Sequence, residues 1–181
     1  MSNLPTIQDI ANMEVQESDK KGALNVLLNQ NPPQSIVQVH PMAKTPYIPI
    51  QTIEFLMTKI FGEWNVEVKR ESLIANSICV TVRVHYKCPL TGESLFQDGV
   101  GAQPLQTDKG KSPTDFTAIK NDSVQKALPS AESYAIKDAC QKIGKIFGKD
   151  IARKSSNNYD GMMPESVSEY KFDQKPALTE K

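Results

Sequence analysis

Four lysines and an arginine near the end of the chain are the residues whose spacing could do chemistry. Lys137, Lys142, Lys145 and Lys149 fall in or just after an amphipathic segment, and Arg153 follows them. If one helix ran as far as residue 149, Lys142, Lys145 and Lys149 would lie within about 60° of arc on its polar side. Point charges in such a row can hold a phosphate backbone without reading bases. An ordinary solvated face is the usual alternative explanation of such a charge run.

Two other kinds of residue could contribute to nucleic-acid binding. Lys109 and Lys111 lie at the tip of a polar, irregular stretch, where they could add an electrostatic contact or serve only solubility. Tyr47 lies between Pro46 and Pro49, outside a regular element, and is the best candidate for stacking on a base. The predicted binding residues are therefore Lys142, Lys145, Lys149, Lys137, Tyr47, Arg153, Lys109 and Lys111.

Residues suited to catalysis or metal binding are sparse. The chain has 2 histidines and 3 cysteines, and no two cysteines have the close spacing of a zinc site. Cys79 or Cys88 with His85 is the one conceivable nucleophile and base, and no third group stands out to orient them. A glycine-rich phosphate loop ending in lysine is absent. We therefore expect a protein that is not an enzyme and has no cofactor or metal, with a small thiol hydrolase as the alternative.

The charge is unevenly distributed along the chain. The totals of 21 basic and 21 acidic residues cancel, yet residues 101–154 contain ten basic and six acidic side chains, a net charge of +4. A local basic patch, rather than the total, is what a phosphate backbone responds to. No apolar run approaches the roughly 20 residues of a membrane span. The polar N-terminal segment does not resemble a signal peptide, so we expect a cytoplasmic protein.

The hydrophobic pattern predicts one α+β domain over residues 22–154, between a flexible leader (1–21) and a disordered tail (155–181). Alternation of apolar residues is clearest from Ile78 to Tyr86, and helical spacing is clearest before Gly62, a typical C-cap residue. The predicted elements are a short helix at 22–30, a strand at 35–40, a helix at 49–61, strands at 64–69, 78–86 and 94–100, and a helix at 130–147. The predicted fold is an antiparallel three- to four-stranded sheet packed on helices, in the order α-β-α-β-β-β-α.

Several short motifs in this order resemble the Rad-fifty-two family of single-strand annealing proteins. Lys44-Thr-Pro-Tyr47-Ile48 leads into a helix that ends in Phe61-Gly62, and Trp64 follows. Val80-Thr-Val-Arg83-Val84 is similar to a strand of the family, and Gly99-Val-Gly101 to its turn of small residues after the third strand. The ending Lys142-Ile-Gly-Lys145-Ile-Phe-Gly148 is similar to the family's basic helix. The likeness covers roughly residues 36–150.

This resemblance implies annealing of complementary single strands without ATP, in homologous recombination and DNA repair, by a ring of identical subunits joined through their sheets. It assigns Lys142, Lys145 and Tyr47 to the DNA groove, while Lys109 or Lys111 is the candidate for a second site. The insert at 103–129 is longer than in eukaryotic members. The compactness of the chain suggests a phage or bacterial relative, acting in the bacterial cytoplasm. A single-strand-binding protein or an exonuclease is a possible partner. A DNA-end protector that never anneals is the alternative within the binding proteins.

Overall fold

A computed structural model describes residues 17–153, and the side chains of residues 20–153. Residues 1–16 and the tail predicted at 155–181 lie outside the described part. Two compact units divide the described residues, one made of residues 17–49 and 144–153, the other of residues 50–143. Within residues 17–153, no helix combines the length and the apolar composition that crossing a membrane requires.

The first unit contains one helix and a small sheet. Helix α1 spans Glu17–Asn29, so it begins inside the predicted leader and ends, as predicted, before Pro32 and Pro33. After a 3-10 turn at Gln34–Ile36, strand β1 (Gln38–Val39) pairs antiparallel with strand β2 (Pro46–Tyr47). The predicted strand at 35–40 therefore shrinks to two residues. Its partner is a strand that the pattern did not indicate. The two form a separate sheet, so the main sheet has three strands, the lower end of the predicted range.

The second unit is built on an antiparallel meander, as predicted. Strands β3 (Trp64–Ile74), β4 (Ser77–Lys87) and β5 (Ser94–Pro104) lie in the order β3-β4-β5. Val80, Val82 and Val84 of β4 are buried, which confirms the alternating pattern that predicted this strand. The opposite face is polar: Arg83 forms two hydrogen bonds with Asp98, of 2.6 and 2.8 Å, and covers the ring of Phe96 at 4.0 Å.

Helix α2 (Ile50–Phe61) and helix α3 (Ser123–Ile143) contact this sheet. Gly62, at φ +70°, ends α2, as predicted. A Cβ added to Gly99 would lie 2.1 Å from the carbonyl oxygen of Ala135, and one on Gly101 would lie 2.2 Å from that of Ala131. Because both glycines lack a side chain, α3 packs with its backbone almost against β5. The third strand was predicted at 94–100, with Gly99-Val-Gly101 in a turn after it, but β5 continues through both glycines to Pro104.

The closing helix differs most from its prediction. It begins at Ser123 and includes Pro129, which is exposed, whereas the helix was predicted to begin at residue 130. The Ser130 hydroxyl donates to the carbonyl oxygen of Lys126, within the helix. At the other end α3 stops at Ile143, because Gly144 has extended backbone, and only a 3-10 turn follows at Lys145–Phe147. The prediction that Lys142, Lys145 and Lys149 share one face of a helix is therefore wrong.

In this part of the chain the fold is α+β, with three helices and two antiparallel sheets of two and three strands. The order follows the predicted one apart from the added β2.

Candidate nucleic-acid interface

A basic cleft in the first unit brings together three of the predicted binding residues. It has a volume of about 250 Å³. One side comes from the segment that follows α1, and the other from the turns after residue 144. The lining residues are Asn31, Pro32, Gln34, Val37, Lys145, Lys149, Asp150, Ile151 and Arg153. Lys145, Lys149 and Arg153 therefore converge on one site, although no common helix places them there.

Tight backbone turns set the basic side of this cleft. The 3-10 turn contacts α1, and its Ile146 and Phe147 are fully buried. A Cβ on Gly144 would lie 2.6 Å from the carbonyl oxygen of Leu28 in α1, so the chain can pass only as glycine. Gly148 (φ +94°) and Asp150 (φ +63°) then reverse the backbone twice. Because Ile146 and Phe147 are buried, the backbone positions of Lys145 and Lys149 are fixed.

The charges of the cleft differ in their accessibility. Lys145 is 8% exposed, whereas Lys149 and Arg153 are exposed. The guanidinium of Arg153 lies 2.9 Å from the carboxylate of Asp150, whose side chain is only 12% exposed. Among the lining residues that the structure describes, three basic groups lie with one acid, and Asp150 pairs with Arg153. Such a site suits an anionic group of the size of a phosphate.

Tyr47 lies in the same unit, on the strand that pairs with the residues following Val37 of the cleft. It pairs with Gln38, the residue after Val37, and its hydroxyl donates to the Gln38 side-chain oxygen at 3.1 Å. The His40 ring lies edge-on at 6.1 Å. Tyr47 therefore belongs to the small sheet, rather than to an irregular segment, and its ring is half-buried.

Lys142, in the second unit, has partners within the protein. Its ammonium group donates to Asp138 Oδ2 at 2.7 Å and to the backbone oxygen of Asp98 at 3.0 Å. The same Asp138 oxygen accepts the backbone N–H of Val100 at 3.0 Å. Since β5 is an edge strand, these two side chains of α3 occupy hydrogen-bonding groups that a neighbouring strand would use. We call Asp138 and Lys142 the edge clasp.

The other predicted lysines of the second unit lie on α3 and on the loop that precedes it. Lys137 lies 5.8 Å from the centre of the Tyr134 ring, and burial lowers its pKa. Lys109 and Lys111 are exposed in the loop between β5 and α3, where the backbone N–H of Lys111 bonds the Asp108 oxygen. Their assignment to a second DNA site stays a prediction.

The groups considered for thiol catalysis do not pair. His85 bonds Glu67 at 3.1 Å, and Cys79, six residues earlier on the same strand, is roughly 20 Å away at the rise of a β-strand. Burial acts to raise the pKa of Cys88, but hydrogen bonds from Thr91 and from the backbone at Leu90 and Thr91 lower it. Burial raises the pKa of Cys140 to about 12. Across residues 17–153, no group of three or more His, Cys, Asp or Glu side chains is placed to hold a metal ion.

Sequence reasoning missed the neutral wall of the cleft. Asn31, Gln34 and Asp150 were not among the predicted binding residues. The one available signal was the pair Pro32-Pro33, which fixes a rigid turn beside these amides.

The chain matches no protein-family model and no curated protein. The case for any function therefore rests on the residues themselves.

Proposed function

We propose that the protein binds single-stranded DNA through this cleft and anneals complementary strands without ATP. The observation that carries the proposal is the convergence of Lys145, Lys149 and Arg153 on one cleft of about 250 Å³. Ammonium and guanidinium groups hold phosphates by charge and leave the base edges free for a complementary strand. Base pairing would then supply both the specificity and the driving energy.

Binding by one protomer would be weak, because a cleft of this size holds only one or two phosphate groups. Annealing would therefore depend on several protomers acting along one strand, and a closed ring is the arrangement we propose. Linked weak sites give strong overall binding while each contact can still open. We place this activity in recombination and repair in the cytoplasm, that of a bacterial host if the gene comes from a phage.

Salt dependence tests the phosphate contacts directly. Three contacts at about −0.7 each give a slope of log K against log salt near −2 for one protomer. The affinity should then fall about 20-fold between 50 and 200 mM salt. Replacing Lys149 by Ala should make the slope shallower by about 0.7. Fluorescence anisotropy of a labelled oligothymidylate measures both quantities.

Lys126→Ala is the matched control, because Lys126 is an exposed lysine of α3 whose ion-pair partner is Asp122, outside the cleft. Annealing is followed with two complementary oligonucleotides that carry a fluorophore pair. Lys149→Ala and Arg153→Ala should slow pairing, while Lys126→Ala should not. Equal binding by all three variants would refute the proposed cleft, and binding without faster pairing would leave an end-protecting protein instead. Electron micrographs with and without the oligonucleotide test the ring.

A further inference from the structure

A second pocket lies at one end of the three-stranded sheet, entirely within the second unit. Its volume is about 660 Å³, within the range of small-molecule sites. It is formed where β3 begins, β4 ends and β5 begins. The lining residues are Gly62, Glu63, Trp64, Asn65, Glu67, His85, Tyr86, Lys87, Ser94 and Leu95.

Two aromatic rings of this pocket are held in place and remain half-buried. Trp64 and Tyr86 are directly opposite in the register of β3 and β4. The indole N–H of Trp64 donates to the Thr58 hydroxyl at 2.9 Å, which fixes the ring plane. Tyr86 packs against Phe61, with ring centres 4.6 Å apart. A fixed and partly accessible ring is what stacking on a planar group requires.

The charged groups of the pocket are bonded to one another. Glu63 bonds Lys87 at 2.5 Å, and Glu67 bonds His85 at 3.1 Å. These hydrogen bonds lower the pKa of both carboxyls, so both are ionised at neutral pH. Two carboxylates against one lysine would repel a phosphate. The occupant that fits is therefore a neutral planar group.

We propose that this pocket stacks a nucleobase of single-stranded DNA against Trp64. The proposal rests on the proposed function for the source of the base, and it adds a base-binding site to the phosphate-binding cleft. Stacking of one base on an aromatic side chain strengthens binding by about 5- to 150-fold. Because any base presents a ring face, we expect little dependence on sequence.

Trp64 is the single tryptophan of the chain, so its fluorescence reports on this pocket alone. The full chain is titrated with an oligothymidylate and, in parallel, with an abasic oligonucleotide of the same length. Anisotropy of a label on each strand measures binding. The oligothymidylate should quench Trp64 over the concentrations at which it binds. The abasic strand should bind more weakly, by about fivefold or more, and leave the fluorescence unchanged.

Two substitutions separate stacking from structural support. Trp64→Phe keeps a stacking ring and should retain the preference for the strand that carries bases, whereas Trp64→Leu should bring the affinity ratio close to one. Quenching by the abasic strand, or oligothymidylate binding without quenching, would overturn the base site and leave the phosphate cleft standing. If neither strand binds, the proposed function fails and the base site fails with it.

Discussion

The edge clasp of α3 makes a sharp prediction about the outer strand of the sheet. Replacing Asp138 by Ala removes the acceptor of the Val100 backbone N–H and the ion-pair partner of Lys142. A hydrogen bond to a charged group contributes about 1.5–3 kcal/mol when desolvated. Since the Asp138 side chain is 34% exposed, we expect about 1.4 kcal/mol, which corresponds to roughly tenfold faster exchange of the Val100 amide.

Native-state hydrogen exchange, read by NMR or by mass spectrometry, measures this amide. Lys142→Ala breaks only an exposed i,i+4 ion pair and one hydrogen bond to a carbonyl. Such a pair contributes about 0.3–0.5 kcal/mol, so exchange of the Val100 amide should become about twofold faster. The matched control is Asp122→Ala, which breaks another i,i+4 pair near the start of the same helix without touching β5. Asp138→Asn keeps an acceptor oxygen and should retain part of the protection.

The reasoning is refuted if the Val100 amide exchanges at the same rate in Asp138→Ala as in the unchanged protein. It is also refuted if Asp122→Ala accelerates it equally, because the effect would then be global. Open strand edges invite pairing with other chains. Asp138→Ala should therefore also associate more readily at high concentration, which light scattering detects.

Three further predictions concern packing and thiols. Gly101→Ala should lower the free energy of unfolding by about 1–3 kcal/mol or more, since the added Cβ would clash with the backbone of α3. The control is Val100→Ala, on the exposed face, which should change this free energy by about 0.5 kcal/mol or less. Chemical denaturation measures both. Because burial raises the pKa of Cys140 from 9.0 to about 12, its neutral thiol stabilises the fold up to pH 9, and this contribution is lost as pH rises toward 12. The loss is about 1.4 kcal/mol at pH 10, and melts of Cys140→Ala should lack this slope. At pH 7 iodoacetamide should modify Cys88 well before Cys140, and equal labelling by peptide mass spectrometry would contradict the assigned burial.

Strand β4 was predictable because it is the central strand with one buried face. Such a strand must alternate, and Val80, Val82 and Val84 do so. The full length of β3 was not predictable from the same rule. Beyond Val68 the register shifts at a bulge, and Lys69, Arg70 and Glu71 of this edge strand are all exposed. Where neither face of a strand is buried, apolar and polar residues need not alternate, so the sequence pattern does not indicate the strand.

Local rules failed at both ends of α3 because contacts elsewhere in the fold decide them. Proline is usually a boundary, yet Pro129 is exposed and the helix continues through it. Gly144 ends the regular helix because the chain there passes against the backbone of Leu28, which is remote in sequence. Gly99 and Gly101 likewise had two local interpretations, an end of the strand or a close approach. The spacing of Ala131, Ala135 and Ala139 on the facing helix selects the second.

The lysines show why a charge motif underdetermines a binding site. Lys142 and Lys149 were predicted to act alike because a helical count placed them on one face. What separates them is the supply of acceptors: Lys142 meets a carboxylate and a strand carbonyl of its own unit, while Lys149 is exposed beside a cleft that Lys145 and Arg153 share. The ammonium group of Lys142 would have to leave Asp138 to hold a phosphate. The ammonium group of Lys149 is exposed at the cleft and would not have to break such a bond. The cleft lysine should therefore dominate the salt dependence of DNA binding, and Lys142→Ala should weaken the sheet edge more than it weakens the affinity for DNA.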